Sequence, residues 1–258
     1  MTDTPGEALP LNERQSRIVE RVEQQGFVTI DALARDFSVS AQTVRREIIL
    51  LDELGVLQRF HGGAGRNGSG ERLSYEAKQT RELDAKQRIG EAMAAIVSEG
   101  QSVFLDVGTT AEATAKALLQ HKKLTVVTPS ATNGRILSAN AGIDAILTGG
   151  RILGADLSMA GPIALRTVSA YRFDWAIIAC SGIEAEGAVL DFDADKVALK
   201  QCAMSVAGRS ALIADSAKFE RKARLELCRI EAFDVLVTNE ALPEELGARL
   251  ENGRVVLA

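Results

Sequence analysis

Residues 102–107 read SVFLDV, a run apolar enough to be buried on both faces. Gly108, Thr109 and Thr110 follow, and a helix-periodic stretch over 111–120 begins at once. The same succession recurs almost to the end of the chain. Helical patterns at 86–97, 111–120, 130–139, 163–171, 194–206 and 243–250 alternate with apolar runs at 102–107, 124–128, 144–147, 175–179, 211–214 and 235–238. Such alternation leaves little choice of fold. Parallel strands need long crossovers, and the crossover helices cover the sheet they connect, so the expectation is an α/β domain with a mostly parallel sheet clad on both faces. The run at 235–238 is the last strand found in this reading.

The first 68 residues follow a different pattern. Residues 12–25 read as a helix with Ile18, Val19 and Val22 on one face. Phe27 and Val28 form a short extended piece. A second helix at 31–37 turns Ala32, Leu33 and Phe37 inward, Ser38-Val39 makes a tight turn, and Ser40 caps a third helix that runs to Leu54. The stripe of this third helix is Val44, Ile48, Leu51 and Leu54. A strand at 56–60, a turn at His61-Gly62-Gly63 and a return strand complete the order of a winged helix-turn-helix. The helix-turn-helix falls at about 28–47. The Gly-rich RNGSG at 66–70 reads as a linker, and the α/β domain occupies 75–258.

With Val44 and Ile48 inward, Gln42 and Arg46 lie one turn apart on the outer face, with Arg45 on the flank. Gln pairs well with adenine, Arg with guanine or phosphate. The plainer alternative is a solvated helix face. The short helix, tight turn and wing favour double-stranded DNA, with Ser40, Gln42, Thr43, Arg45, Arg46, Arg59 and His61 as contact candidates. Net charge, −5 overall, gives no such hint. Every basic residue from Leu11 to Arg66 is nevertheless Arg, the better choice for bidentate recognition.

Other classes are disfavoured. The three cysteines, Cys180, Cys202 and Cys228, show neither C-x-x-C spacing nor a Cys/His cluster, which fits a reducing cytosol without disulfides or zinc. No signal peptide or membrane-length apolar run is present, so a cytoplasmic location without membrane contact is expected. His61 and His121 are poorly placed as general bases. DFDAD at 191–195 tempts a calcium reading, but Lys196 stands where the loop needs Gly and Cys202 where it needs Glu. There is no G-x-x-x-x-G-K-[ST] or G-x-G-x-x-G motif, and no cofactor is expected.

One candidate site remains in the α/β domain. A strand running into Gly108-Thr109-Thr110 and straight into a helix aims free N–H groups and a positive dipole end above the sheet, which suits a phosphate. The plainer alternative is an ordinary turn capped by Thr110. Thr128, Gly149-Gly150, Ser181-Gly182 and Asp215 stand at other strand ends, where ligands of parallel sheets gather. Lys200 and Lys218 could neutralise a phosphate.

Taken together, the chain resembles the DeoR family of bacterial transcriptional regulators. The resemblance rests on RQSRIVERVEQQGFVTIDALARDFSVSAQTVRREIILLDELGVLQRFHGGA and on FLDVGTT, LTVVT, LTGG, SGIEAEG, DFDADKVALK and DSAKF in order. SGIEAEGAVLDFD looks most like the glycerol-3-phosphate repressor branch. The resemblance implies a homo-oligomeric repressor of a sugar or polyol operon, released by a phosphorylated effector, with a sensor similar in fold to ribose-phosphate isomerases. Its implied effector residues are Asp106, Gly108, Thr109, Thr110, Gly149, Gly150, Gly182, Asp193, Lys200, Asp215 and Lys218. Pro129, Lys196, Ala217 and Glu220 depart from the family pattern. The rival reading is a sugar-phosphate isomerase with an appended winged helix.

Overall fold

A computed structural model describes residues 11–25, 27–54, 56–60, 63–66, 75, 78, 82–154, 156–219, 221–250 and 254–258. Contacts divide the chain into two units, Met1–Ala77 and Lys78–Ala258.

The first unit contains α1 (Glu13–Gln25), β1 (Phe27–Thr29), α2 (Ile30–Phe37), α3 (Ala41–Glu53), β2 (Leu57–Phe60) and β3 (Gly63–Arg66). Asn12 and Gln15 form a reciprocal cap at the start of α1, each backbone N–H bonding the other's side-chain oxygen at 2.9 Å. Thr29 caps α2, and Ser38, at φ 53°, closes it in the left-handed conformation. Ser40 caps α3 by accepting from the Thr43 N–H at 3.1 Å. The three strands form an antiparallel sheet in the order β1-β3-β2. Ile18, Val22, Leu33, Val44, Ile48, Leu51 and Leu57 make the core. Each such burial contributes about 1.5–3 kcal/mol. Leu54 is not part of it: α3 ends one residue earlier, and Leu54 is exposed. The wing turn at His61 and the 67–70 part of the linker lie outside the described residues.

The second unit is built on seven parallel strands in the order β15-β14-β12-β9-β4-β5-β6. They are β4 (Ser102–Leu105), β5 (Leu124–Thr128), β6 (Ile143–Leu147), β9 (Phe173–Ala179), β12 (Ala207–Ile213), β14 (Val235–Thr238) and β15 (Val255–Leu257). The connecting helices are α4 (Leu83–Ile96), α5 (Thr109–Leu118), α6 (Ala131–Leu137), α7 (Pro162–Ser169), α8 (Ala194–Ser205) and α9 (Glu244–Gly247). Strand periodicity explains the two cores. Trp175 and Ile177 of β9 pack with α4, α5 and α6, whereas Ala176 and Ile178 pack with α7 and α8.

Three features differ from the sequence expectation. A further strand, β15, follows residues 235–238. A hairpin of β7 (Arg151–Leu153) and β8 (Ser158–Ala160) precedes α7. An antiparallel sheet of β10 (Gly182–Ile183), β11 (Ala188–Asp191) and β13 (Leu225–Arg229) lies apart from the main one. Most of these strands have only two to four residues, too few for a period-two pattern to declare itself.

Candidate DNA interface and sensor crevice

On α3, Val44 and Ile48 are buried, while Gln42, Arg45 and Arg46 are exposed and Thr43 is half-buried. The polar stretch is short. Beyond Arg46 the same helical rows continue as Ile49, Leu50 and Leu54, all at least 36% exposed. The exposed amide and basic side chains of α3, Gln42, Arg45 and Arg46, therefore lie in its first two turns. Ser40 is engaged in the cap and also lies 2.9 Å from the Thr43 hydroxyl. Arg59 lies on β2, and its side chain, like His61, lies outside the described residues.

Sequence reading missed Glu47. Its Oε1 accepts from Arg14 Nε at 3.2 Å and from a second Arg14 nitrogen, and its Oε2 accepts from Gln15 Nε2 at 2.7 Å. Burial raises this carboxyl, but the bonds from Arg14 and Gln15 and the Arg14 charge outweigh it and hold the group below its ordinary value. The local signal for Gln15 was the N-x-x-Q capping box from Asn12; nothing local pointed to Glu47.

In the second unit the strand order reverses between β4 and β9: β5 and β6 extend one way, β12, β14 and β15 the other. A crevice at such a reversal is where open parallel sheets bind ligands. Asp106 follows β4 there, and Gly108 starts α5 at φ 117°, a conformation that glycine tolerates and other residues resist. Among the described residues no side chain caps this helix; Thr110 lies in its first turn, buried, and is not the cap. Glu112 is the first intrahelical donor, to Gly108 O at 2.9 Å. The N–H groups of Thr109, Thr110 and Ala111 precede it and have no intrahelical acceptor. Asn133, also missed, donates to Asp106 O at 2.8 Å, and its Oδ1 is buried without a hydrogen-bond partner among the described residues.

Lys200 does not match its expected role. Its Nζ lies 2.7 Å from Ala179 O, 2.6 Å from Asp191 Oδ2 and 2.9 Å from Asp106 Oδ2. Three donors meet three acceptors, which leaves none for a phosphate. Burial alone would lower Lys200, but the two carboxylates raise it above its ordinary value. Burial opposes ionisation of Asp191 too, yet Lys200, Phe192 N–H and Ser181 pull that carboxyl down. For Asp106 burial prevails over Lys200 and the carboxyl is raised.

The other expected residues are dispersed by role. Gly182 stands where a Cβ would lie 1.9 Å from Arg221 O, so its glycine serves a close backbone approach. Asp193 caps α8 through Oδ1, which accepts from Asp195 and Lys196 N–H groups. Asp215 is buried just beyond β12, and the half-buried Lys218 follows on a short 3-10 turn. Gly149 and Gly150 follow β6, an edge strand, and lead into the β7–β8 hairpin. Burial pushes the Cys180 thiol up to about 12, against the attraction of Lys218 and Lys200. Among the described residues no cluster could hold a metal and no helix is long and apolar enough to cross a membrane.

Comparison with known proteins agrees with this division. Residues 14–69 match the DeoR-like helix-turn-helix domain, and residues 81–240 match the DeoR C terminal sensor domain. The glycerol-3-phosphate regulon repressor of Haemophilus influenzae is 35% identical over 232 residues, 90% of each chain. The HTH-type transcriptional repressor CsqR of Escherichia coli is 32% identical over 244 residues, 95% of this chain and 94% of that one. Ribose 5-phosphate isomerase A of Methanocaldococcus jannaschii overlays 54% of this chain on 55% of its own, with TM-score 0.40 and 14% identity. At that level the overlap bears on neither activity nor ligand. The helix-turn-helix and sensor matches lie in order along one chain, and the protein belongs to the DeoR family of transcriptional regulators.

Proposed function

We propose that this protein is a transcriptional repressor that binds operator DNA through α3 and is released by a small phosphorylated sugar or polyol. The observation that carries the DNA half is the outer face of α3. Gln42, Arg45 and Arg46 are exposed opposite the buried Val44 and Ile48, on a helix capped by Ser40. Arg59 and His61 are assigned to the wing's contacts with DNA. The family and the relatives named as repressors support regulation over the isomerase reading. A homo-oligomer with paired half-sites fits, because one winged helix covers little DNA. As a bacterial repressor it works in the cytoplasm.

The effector half rests on the uncapped N-terminus of α5 at the strand reversal. A phosphate there would accept from the Thr109, Thr110 and Ala111 N–H groups and from the Thr109 hydroxyl. Lys218, rather than Lys200, is the assigned cation. Asn133 Oδ1 is available to a ligand hydroxyl. Glycerol 3-phosphate is the favoured effector, given the name of the similar Haemophilus influenzae repressor. Binding would shift the population toward a form with weaker operator affinity. The test uses the full-length protein and a duplex that it selects from random-sequence DNA. Glycerol 3-phosphate should release that duplex where glycerol does not. Catalysed interconversion of pentose phosphates without sequence-selective DNA binding would establish the isomerase instead.

A further inference from the structure

We infer that Glu47 is a positioning residue for DNA recognition, which sets the rotation and height of α3 against α1 and so the aim of Gln42, Arg45 and Arg46. It rests on the assignment of α3 to the groove.

The apolar contacts under α3 do not set its aim alone. Burial of Val44, Ile48 and Leu51 is roughly proportional to area and non-directional, so it tolerates small rotations and slides of a helix. A base contact does not: a recognition side chain has to be held within roughly 0.5 Å of its productive position. Directional restraint comes from hydrogen bonds, and Glu47 supplies it between α3 and α1. It immediately follows Arg46, and its side chain is only 11% exposed.

Both of its oxygens are engaged, Oε1 by Arg14 and Oε2 by Gln15. Gln15 is fixed in turn, because its Oε1 accepts from Asn12 N–H in the reciprocal cap of α1. The restraint thus runs from a backbone group of one helix through two side chains to the other helix. Its electrostatics suit the same purpose. An unpaired carboxylate beside Arg46 would repel phosphates, whereas Arg14 neutralises this one.

The polarity of the network supplies the test. Glu47→Gln places an amide N–H₂ where the Gln15 amide already donates, or turns one toward Arg14; either way two donors face each other. Adding Gln15→Glu reverses the polarity. The carboxylate introduced at position 15 then accepts from the Asn12 N–H and from the amide introduced at position 47. The oxygen of that amide still accepts from Arg14. Affinities are measured with full-length protein for its selected duplex and for a scrambled duplex of equal length, alongside Arg46→Ala. Glu47→Gln should lower discrimination about tenfold, the scale of one good base contact, without lowering scrambled-duplex affinity. The double variant should recover most of that loss. Wild-type discrimination in Glu47→Gln, with Arg46→Ala impaired, overturns the positioning role alone. A parallel fall of both affinities with the folded fraction overturns it too, since that marks a merely structural role. Binding of both duplexes left unchanged by Gln42→Ala and by Arg46→Ala removes the groove assignment, and the inference with it.

Discussion

The Lys200 ammonium lies 2.6 Å from Asp191 Oδ2, with the two side chains only 4% and 10% exposed. Asp106 shares the same ammonium at 2.9 Å. The three residues join the end of β4, the end of β11 and the middle of α8 into one buried group. Breaking such a group by removing its only cation leaves two carboxylates without compensation, and loss of one partner of a buried pair costs about 3–5 kcal/mol. Lys200→Met, close in volume, should therefore destabilise the second unit by that amount. Trp175 is the only tryptophan and is buried in that unit, so its fluorescence during urea unfolding reports the loss directly. A change under about 1 kcal/mol, the scale of an exposed pair, would show that the three groups are not coupled as described.

The same group gives opposed pH dependences. Asp191 is held low, so its stabilising contribution is present above the ordinary carboxylate value of about 4 and is lost as pH falls below it. Asp106 is raised, so between that value and its folded pKa the native state binds more protons than the unfolded chain, and stability falls as pH rises. Asp106→Asn should remove the second slope and keep the first. Urea unfolding of wild type and Asp106→Asn across about pH 2 to 7, read at Trp175, separates them, the first slope lying below about pH 4 and the second in the window above it. Equal slopes for both proteins in that upper window would rule out Asp106 as the source.

Gly182 offers a steric check on the antiparallel sheet. A Cβ there would sit 1.9 Å from Arg221 O and 2.8 Å from its carbonyl carbon. Backbone, unlike a flexible side-chain tip, cannot swing aside. Gly182→Ala should cost about 1–3 kcal/mol, the range for overpacking, in the same unfolding assay.

These contacts mark the limit of what the sequence makes legible. The parallel sheet is readable because apolar runs such as FLDV and LTVVT are long enough to bury on both faces. The third helix is readable because Ser40 and the Val44–Ile48 spacing are local signals. The Lys200 group is not. A lysine on a helix is most often solvated, and only the folded chain brings Asp106 and Asp191 to it. Glu47 is hidden for the same reason, since its partners are on another helix. Gly182 reads as a ligand glycine from its place at a strand end and from the family resemblance, because the sequence does not show that a Cβ there would meet Arg221 O.

The outer face of α3 yields a prediction about kind as well as size. Gln42→Ala and Arg46→Ala remove exposed side chains, so the melting temperature should hardly move. A residue that pairs with a base edge should cost about 1–3 kcal/mol on the selected duplex alone. One that meets only phosphate should weaken all duplexes alike and reduce the salt slope by about one unit. Unchanged binding by both variants on both duplexes would exclude this face.

The start of α5 can be tested by substitution. Three N–H groups and the half-buried Thr109 hydroxyl stand at an uncapped helix end, at the point where the strand order reverses. Charge-assisted hydrogen bonds are roughly twice as strong as neutral ones, so a phosphate bound there should dominate the affinity of any ligand that carries it. A ligand that binds only the native state raises the unfolding midpoint, which allows a thermal-shift titration to rank ligands. Glycerol 3-phosphate and hexose phosphates should raise it, and glycerol and free hexoses should do so far less. Thr109→Val keeps the volume and removes one donor. It should weaken phosphate-ester binding about three- to thirtyfold, the loss of one hydrogen bond to a charged group less what water restores. Lys200→Arg and Lys200→Met would act through folding rather than through contact, because the Lys200 donors already meet Ala179, Asp191 and Asp106. Equal stabilisation by phosphorylated and free ligands would remove the anion site from this loop. A phosphate-dependent shift that is untouched in Thr109→Val would move the site to another strand end.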